Sequence, residues 1–209
     1  MNLFKALIKI LMIIYLITSC TLEKKKYYVK KDTTEKYSIP YRIMGKGNLN
    51  PNIMAKFISS KNSTISYEYA LYLANIYIEE AEKEGVNYDI AFAQMCLETA
   101  YLRFGNQVTE KQNNFAGIGA LDGGSRGNSF PSPRIGIRAQ IQHLKAYAST
   151  EETNEEIVDP RFNYVKRGIA TSIHDLSGRW ASDKNYGKKI EKILIELYNL
   201  QKNDYYLNR

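Results

Sequence analysis

Between residues 105 and 134 the chain sets Gly105, Gly117, Gly119, Gly123, Gly124 and Gly127 in one stretch, closed by Pro131 and Pro133. Such a segment cannot be a long helix, because glycine costs about 1 kcal/mol and proline about 3 kcal/mol per interior helical position. It predicts loops with a small hairpin, set between two blocks of helical periodicity. Ahead of it, Ile53, Met54, Phe57 and Ile58 mark a short apolar face that begins near Pro51. Ser66 is placed to cap a longer helix carrying Tyr69, Ala70, Leu73, Ile76, Tyr77 and Ala81 at steps of three and four, and Gly85 stops it. Asn87 can cap a further helix over about 88–102. Beyond the glycines, helical patterning returns at about 135–149, 171–181 and 186–201. The fold class that follows is mainly α: a helical lobe with a small Gly-rich loop or hairpin lobe, the two forming a cleft.

No internal disulfide can brace this arrangement. The chain has two cysteines, Cys20 and Cys96. The first closes the segment Leu16-Ile17-Thr18-Ser19-Cys20, which resembles a bacterial lipobox, where the signal is cleaved before a cysteine that becomes lipidated. Lys5 and Lys9 followed by the uncharged run Ile10–Ile17 give the segment the shape of a secretory signal, too short to span a bilayer stably. An ordinary signal peptide with an incidental cysteine is the plainer alternative. The expectation is a signal peptide over 1–19, a lipidated Cys20 with a basic flexible tether over 20–50, and one folded domain over 51–209, exported and held at a membrane of the cell envelope. Cys96 sits among apolar helical residues, where thiols are inert.

The formal charge is +7, and it falls to +5 without residues 1–19, which carry Lys5 and Lys9 and no acid. A basic protein suits an anionic partner such as a cell wall or anionic lipid, and export argues against nucleic acid. The two histidines, His143 and His174, stand far apart with no paired metal-ligand spacing, so neither a metal nor another cofactor is expected. No phosphate-binding loop and no Gly-x-Ser-x-Gly elbow is present.

Glu98 is the residue that points to chemistry. It follows Ala91-Phe92-Ala93-Gln94-Met95-Cys96-Leu97, an apolar stretch that predicts a buried helix. Burial raises a carboxyl pKa, the property a glycosidase requires of a general acid that must hold a proton near neutrality. A Glu on the solvated face of an amphipathic helix is the ordinary alternative.

Four stretches now carry a resemblance. Gln94-Met95-Cys96-Leu97-Glu98-Thr99-Ala100 resembles the Q-x-x-L-E-[ST]-[GA] signature of glycoside hydrolase family 73, the bacterial N-acetylglucosaminidases of peptidoglycan. Asn113-Asn114-Phe115-Ala116-Gly117-Ile118 is similar to that family's N-N-x-[FA]-G-I motif. The stretches Gly136–Tyr147 and Trp180–Ile190 resemble its later motifs, the last holding D-x-N-Y-x-x-K-I. The likeness runs from about residue 52 to 202 with the motifs in order.

The resemblance implies a lysozyme-like domain that hydrolyses the bond following N-acetylglucosamine in peptidoglycan glycan strands, with Glu98 as general acid and Tyr186 as an aromatic hydroxyl near the reacting sugar. Asn113, Asn114, Phe115, Gly117, Phe130, Trp180 and Asp183 are the accompanying substrate-site candidates, although core is the safer place for Phe115 and Trp180. Where members of that family often carry a Glu, this chain reads Ser132-Pro133-Arg134-Ile135. Glu110, Asp122 and Asp183 are the other carboxylates near the motifs, and Asp122 is preferred because it lies in the Gly-rich excursion. Asp122 before Gly123 is also simply good turn chemistry. The substrate's own 2-acetamido group can take the second role instead. Two further readings stay open: a muramidase or lytic transglycosylase on the same fold, and a non-catalytic peptidoglycan-binding lipoprotein.

Overall fold

Five α-helices account for nearly half of the described residues, and the first four start where a side chain caps them. The structure, a computed structural model, describes residues 38–105, 108–120, 124 and 126–207. Cys20, the signal segment and residues 21–37 of the expected tether lie outside the described residues, as does Asp122.

Helix α1 (Pro51–Lys61) begins on Asn50, whose side chain accepts from the Asn52 N–H, with Pro51 in the first turn where its missing N–H costs nothing. Helix α2 (Tyr67–Glu84) starts on Ser66, which accepts from the Tyr69 N–H, and stops at Gly85 with φ 70°. Helix α3 (Tyr88–Glu98) is capped by Asn87, whose side-chain Oδ1 accepts from the Asp89 and Ile90 N–H groups. Helix α4 (Pro133–Ala148) starts on Ser132, and α5 (Tyr186–Leu207) closes the order. α1 packs on α2, α2 on α4, and α3 on α5. Nearly all of α3 is buried, including Ile90, Ala91, Phe92, Ala93, Met95 and Cys96, which makes it the central helix, apolar on every side.

Two buried ion clusters fasten α2 to α4. Glu80 pairs with Arg134 and Arg138 at 2.6 and 2.7 Å. Glu84 pairs with Lys145 at 2.9 Å and also accepts the backbone N–H groups of Asn154 and Glu155. Burial pushes both carboxyls up, but the cations and N–H donors around them outweigh it and hold both below the ordinary value.

Three expectations are corrected. The first concerns the start of the domain: Ile39–Arg209 is one compact unit, so residues 39–50 belong to the fold and not to a tether. Ile43 is fully buried and exchanges backbone hydrogen bonds with Thr171 and Asn87, while Asp89 accepts the N–H groups of Asn48 and Leu49. The second concerns α3, which ends at Glu98 and not near 102. Ala100, Tyr101 and Leu102 turn left-handed, with φ of 48°, 59° and 61°, a cost of roughly 1–2 kcal/mol per residue. The turn persists because Thr99 Oγ1 accepts from the Leu102 N–H, Asn62 donates to Tyr101 O, and Arg103 ties Ala100 O to Lys61 O. The third concerns 171–181, where only a single 3₁₀ turn, His174–Leu176, forms. Gly178 follows it with φ 75°, a left-handed position that ends helical propagation. Of the expected hairpin, the described residues show an isolated bridge between Gly105 and Val108.

Candidate active site

Glu98 stands at the last position of α3, at the C-terminal end of the helix. A negative charge there meets the negative end of the helix dipole. Its side chain is only partly exposed. Burial raises its pKa to about 6, against hydrogen bonds from the Tyr186 phenol and the Trp180 indole that pull it down. The Tyr186 hydroxyl donates to Glu98 Oε1. Burial and the neighbouring carboxylate push the Tyr186 phenol far up, so it keeps its proton and remains the donor.

Behind Tyr186 runs a buried chain of amides. Gln94 Nε2 donates to the Tyr186 oxygen at 3.0 Å, and Gln140 Nε2 donates to Gln94 Oε1 and to Ala91 O, each at 2.9 Å. Tyr77 closes it by donating to Gln140 Oε1 at 2.6 Å. Gln94 and Gln140 are fully buried, so the orientation of each amide is dictated by its neighbours, and the last link fixes Tyr186 against Glu98. Gln94 and Glu98 share one face of α3 at a spacing of four residues. Sequence reasoning missed this chain. Its signals in the sequence are single glutamines among apolar neighbours, Gln94 in Ala93-Gln94-Met95 and Gln140 in Ala139-Gln140-Ile141.

The Gly-rich excursion reaches the site through Gly117. Its φ of 66° is a left-handed position that favours glycine, and the loop backbone there lies beside Glu98 Oε2, the carboxyl oxygen that Tyr186 does not occupy. The loop is held from within. Asn114 Oδ1 accepts from the Ala116 and Ile118 N–H groups, and its Nδ2 donates to Ile118 O and Asn128 O. Asn113 donates to Phe130 O at 2.9 Å. The loop then seats on α4 at Gly136, where a Cβ would fall 1.7 Å from Asn113 O.

The candidates from the sequence therefore divide. Glu98, Tyr186, Trp180 and Gly117 are brought together. Asn114, Phe115 and Phe130 are buried in the fold, with Phe130 packed beside Ala116 and Ile118; they brace the loop. Asp183 pairs with Lys189 at 2.6 Å and accepts the Asn185 N–H at the start of α5, so its carboxylate is engaged there. Among the described residues no cluster of His, Cys, Asp or Glu could hold a metal ion. His143 meets Asp159 through Nδ1 at 2.6 Å, and its ring packs edge-on against Trp180 at 4.9 Å, bracing the indole. Burial pushes the Cys96 thiol well up, so it stays protonated.

A model of the glucosaminidase family, described as mannosyl-glycoprotein endo-beta-N-acetylglucosaminidase, matches residues 74–200. An uncharacterized protein of Borreliella burgdorferi is 48% identical over 163 residues, which cover 78% of this chain and 79% of that protein. Among solved structures, the crystal structure of S. aureus Autolysin E in complex with the muropeptide NAM-L-Ala-D-iGlu is similar with a TM-score of 0.48 and 18% identity, covering 81% of this chain and 77% of that one.

Proposed function

Because this chain belongs to the glucosaminidase family and is a glycoside hydrolase of the endo-beta-N-acetylglucosaminidase type, we propose that it cleaves peptidoglycan glycan strands after N-acetylglucosamine, with Glu98 as general acid. The observation that carries this reading is a carboxyl held near pKa 6 by burial and aimed by the Tyr186 hydroxyl.

Glycoside hydrolysis needs a proton delivered to the departing oxygen as the sugar develops oxocarbenium character. Glu98 holds that proton below about pH 6. Tyr186 fixes Oε1, which leaves Oε2 beside Gly117 as the oxygen that meets the leaving group. Tyr186 and Trp180 then stabilise the carboxylate that remains after transfer, because both donate to its charged form. The second role falls to Asp122 or to the substrate's own 2-acetamido group, which can close on the anomeric carbon without a second carboxylate.

The acid must be protonated, so kcat/KM is expected to fall as pH rises through about 6. Removing the phenol in Tyr186→Phe deletes a hydrogen bond to the charged form, so the descending limb should move to higher pH. It also leaves Gln94 Nε2 without its acceptor, and kcat should drop roughly tenfold or more. A pH–rate profile of both proteins checks this. An unchanged limb in the variant would contradict the role given to Tyr186.

The proposal includes address. Basic Lys5 and Lys9, the apolar run after them and the lipobox-like segment ending in Cys20 support export and lipid anchoring at the cell envelope. Labelled palmitate should enter the wild type and not Cys20→Ser. Equal labelling of both would remove Cys20 as the anchor.

A further inference from the structure

The helix that supplies Tyr186 carries a second, outward face. Tyr186, Ile190 and Leu197 share its inner side and are buried. At about 100° per residue, Lys188, Lys192, Ile195, Asn199, Lys202 and Tyr206 fall together roughly 160–240° around the axis from Tyr186. All six are exposed. The stripe runs nearly the whole length of α5, opposite the side through which Tyr186 meets Glu98.

Its charge is one-sided, with three lysines and no acid. The acids on its margins are engaged by other groups. Lys61 holds Glu196 and Lys56 holds Asp204, each at 2.6 Å. Glu191 accepts from the Tyr41 hydroxyl at 3.2 Å and lies 3.8 Å from His174. Lys188, Lys192 and Lys202 take part in none of these pairs, and no other acid of the described residues pairs with them. Ile195 and Tyr206 add large exposed side chains to the same stripe.

The chain enters the domain beside this helix. Ser38 is the first described residue, and three positions on, Tyr41 reaches Glu191 of α5. Residues 21–37 link Cys20 to this point, and fully extended they reach at most about 60 Å.

We propose that the face of α5 bearing Lys188, Lys192 and Lys202 docks on the anionic phospholipid surface that anchors the chain, so that the domain turns its Glu98 side away from the lipid. The inference rests on the reading of Cys20 as a lipid anchor. Each lysine near an anionic headgroup layer favours docking about fivefold. Lysine stems, Ile195 and Tyr206 can rest at headgroup depth while the ammonium groups meet phosphate. A carboxylate-bearing wall polymer would gain nothing from Ile195 and Tyr206. The anchor makes docking intramolecular, so a face too weak to hold a free protein suffices.

The test reconstitutes the anchored full chain on phosphatidylcholine vesicles with or without phosphatidylglycerol. A fluorophore is placed on Ile195→Cys or, as the comparison, on Tyr72→Cys of α2, a helix that packs on α1 and α4. Cys96 is buried and does not compete for the label. Spin-labelled lipid should quench the fluorophore at 195 on phosphatidylglycerol vesicles, and far less at 72 or on phosphatidylcholine alone. Adding Lys188→Gln, Lys192→Gln and Lys202→Gln should lower the docked-to-free ratio on the order of a hundredfold. About 0.5 M salt should act in the same direction. The rate on soluble glycan strands should not change. Equal quenching at 195 and 72, or quenching at 195 that ignores phosphatidylglycerol or the lysines, would overturn the docking face alone. Loss of binding to soluble wall fragments in the triple variant, with quenching intact, would assign the lysines to the wall and overturn it too. A chain that floats with neither kind of vesicle would overturn the anchoring reading and this inference with it.

Discussion

Glu98→Gln should lower kcat by about a thousandfold, the scale of a lost general acid, while leaving the fold intact. The amide keeps an oxygen for the Tyr186 hydroxyl and nearly the same volume, so α3 loses no packing. Stability should even rise. The carboxyl has its pKa raised from 4.5 to about 6, so the folded state binds its proton more tightly than the unfolded chain does. That contribution is fully present below the unfolded value and is lost as pH rises through the window between the two. Above about pH 6 the buried charge then costs about 1–2 kcal/mol, which glutamine removes. Thermal melts at pH 7.5 and pH 4 check this directly. The variant should melt higher at pH 7.5 and equal to the wild type at pH 4. Wild-type turnover, or a loss of activity accompanied by unfolding, would remove Glu98 from the role given to it.

Lys145→Met should be the most damaging single change to stability. Lys145 and Glu84 are both almost completely buried, with side chains 2% and 1% exposed. Methionine fills the volume but leaves the Glu84 carboxylate with only the Asn154 and Glu155 N–H groups for compensation. Breaking a buried pair from one side costs about 3–5 kcal/mol, or on the order of 10 °C in Tm for a domain of this size. The acidic dependence follows from the direction of the shift. The folded Glu84 carboxyl is held below its ordinary value, so its contribution is present above the unfolded pKa and disappears as pH falls through the folded one. The gap between wild type and variant should narrow below about pH 4. Adding Glu84→Gln to Lys145→Met removes the stranded charge and should recover part of the loss, because the amide oxygen still accepts from the backbone. A melting point within 2 °C of the wild type, roughly half a kcal/mol, would show that the pair contributes little.

The effect would reach function as well as stability. Glu84 holds the backbone of residues 154 and 155, and the same segment leads into Asp159, which holds His143 under Trp180. Loosening one end frees the indole at the other.

What could be read from the sequence was local. Ser66, Gly85 and Asn87 marked helix ends because capping is chemistry between residues two to four apart, and the structure uses all three. The helix at 186–201 was legible from its apolar repeat, although it continues to Leu207. Errors arose where distant groups decide. The end of α3 depends on Asn62 reaching in from another segment and on Arg103 reaching out to Lys61, and no periodicity within 88–102 reveals that. Residues 39–50 look like a linker because they are polar, yet they are held by backbone hydrogen bonds and by Asp89, to which hydropathy is blind. The site divides in the same way. Glu98, Tyr186, Trp180 and Gly117 stand in motifs, as does Gln140, but the buried relay that joins Gln140 and Tyr77 to the site is drawn from separate helices and no motif shows it.

The most direct test of the central claim is an end-group analysis. Purified peptidoglycan is digested by the wild type and by Glu98→Gln, reduced with borohydride, and the new ends are read by mass spectrometry. Reduced N-acetylglucosamine ends from the wild type alone are the expected result. Reduced or anhydro muramic ends, or N-acetylglucosamine ends released equally by Glu98→Gln, would contradict it.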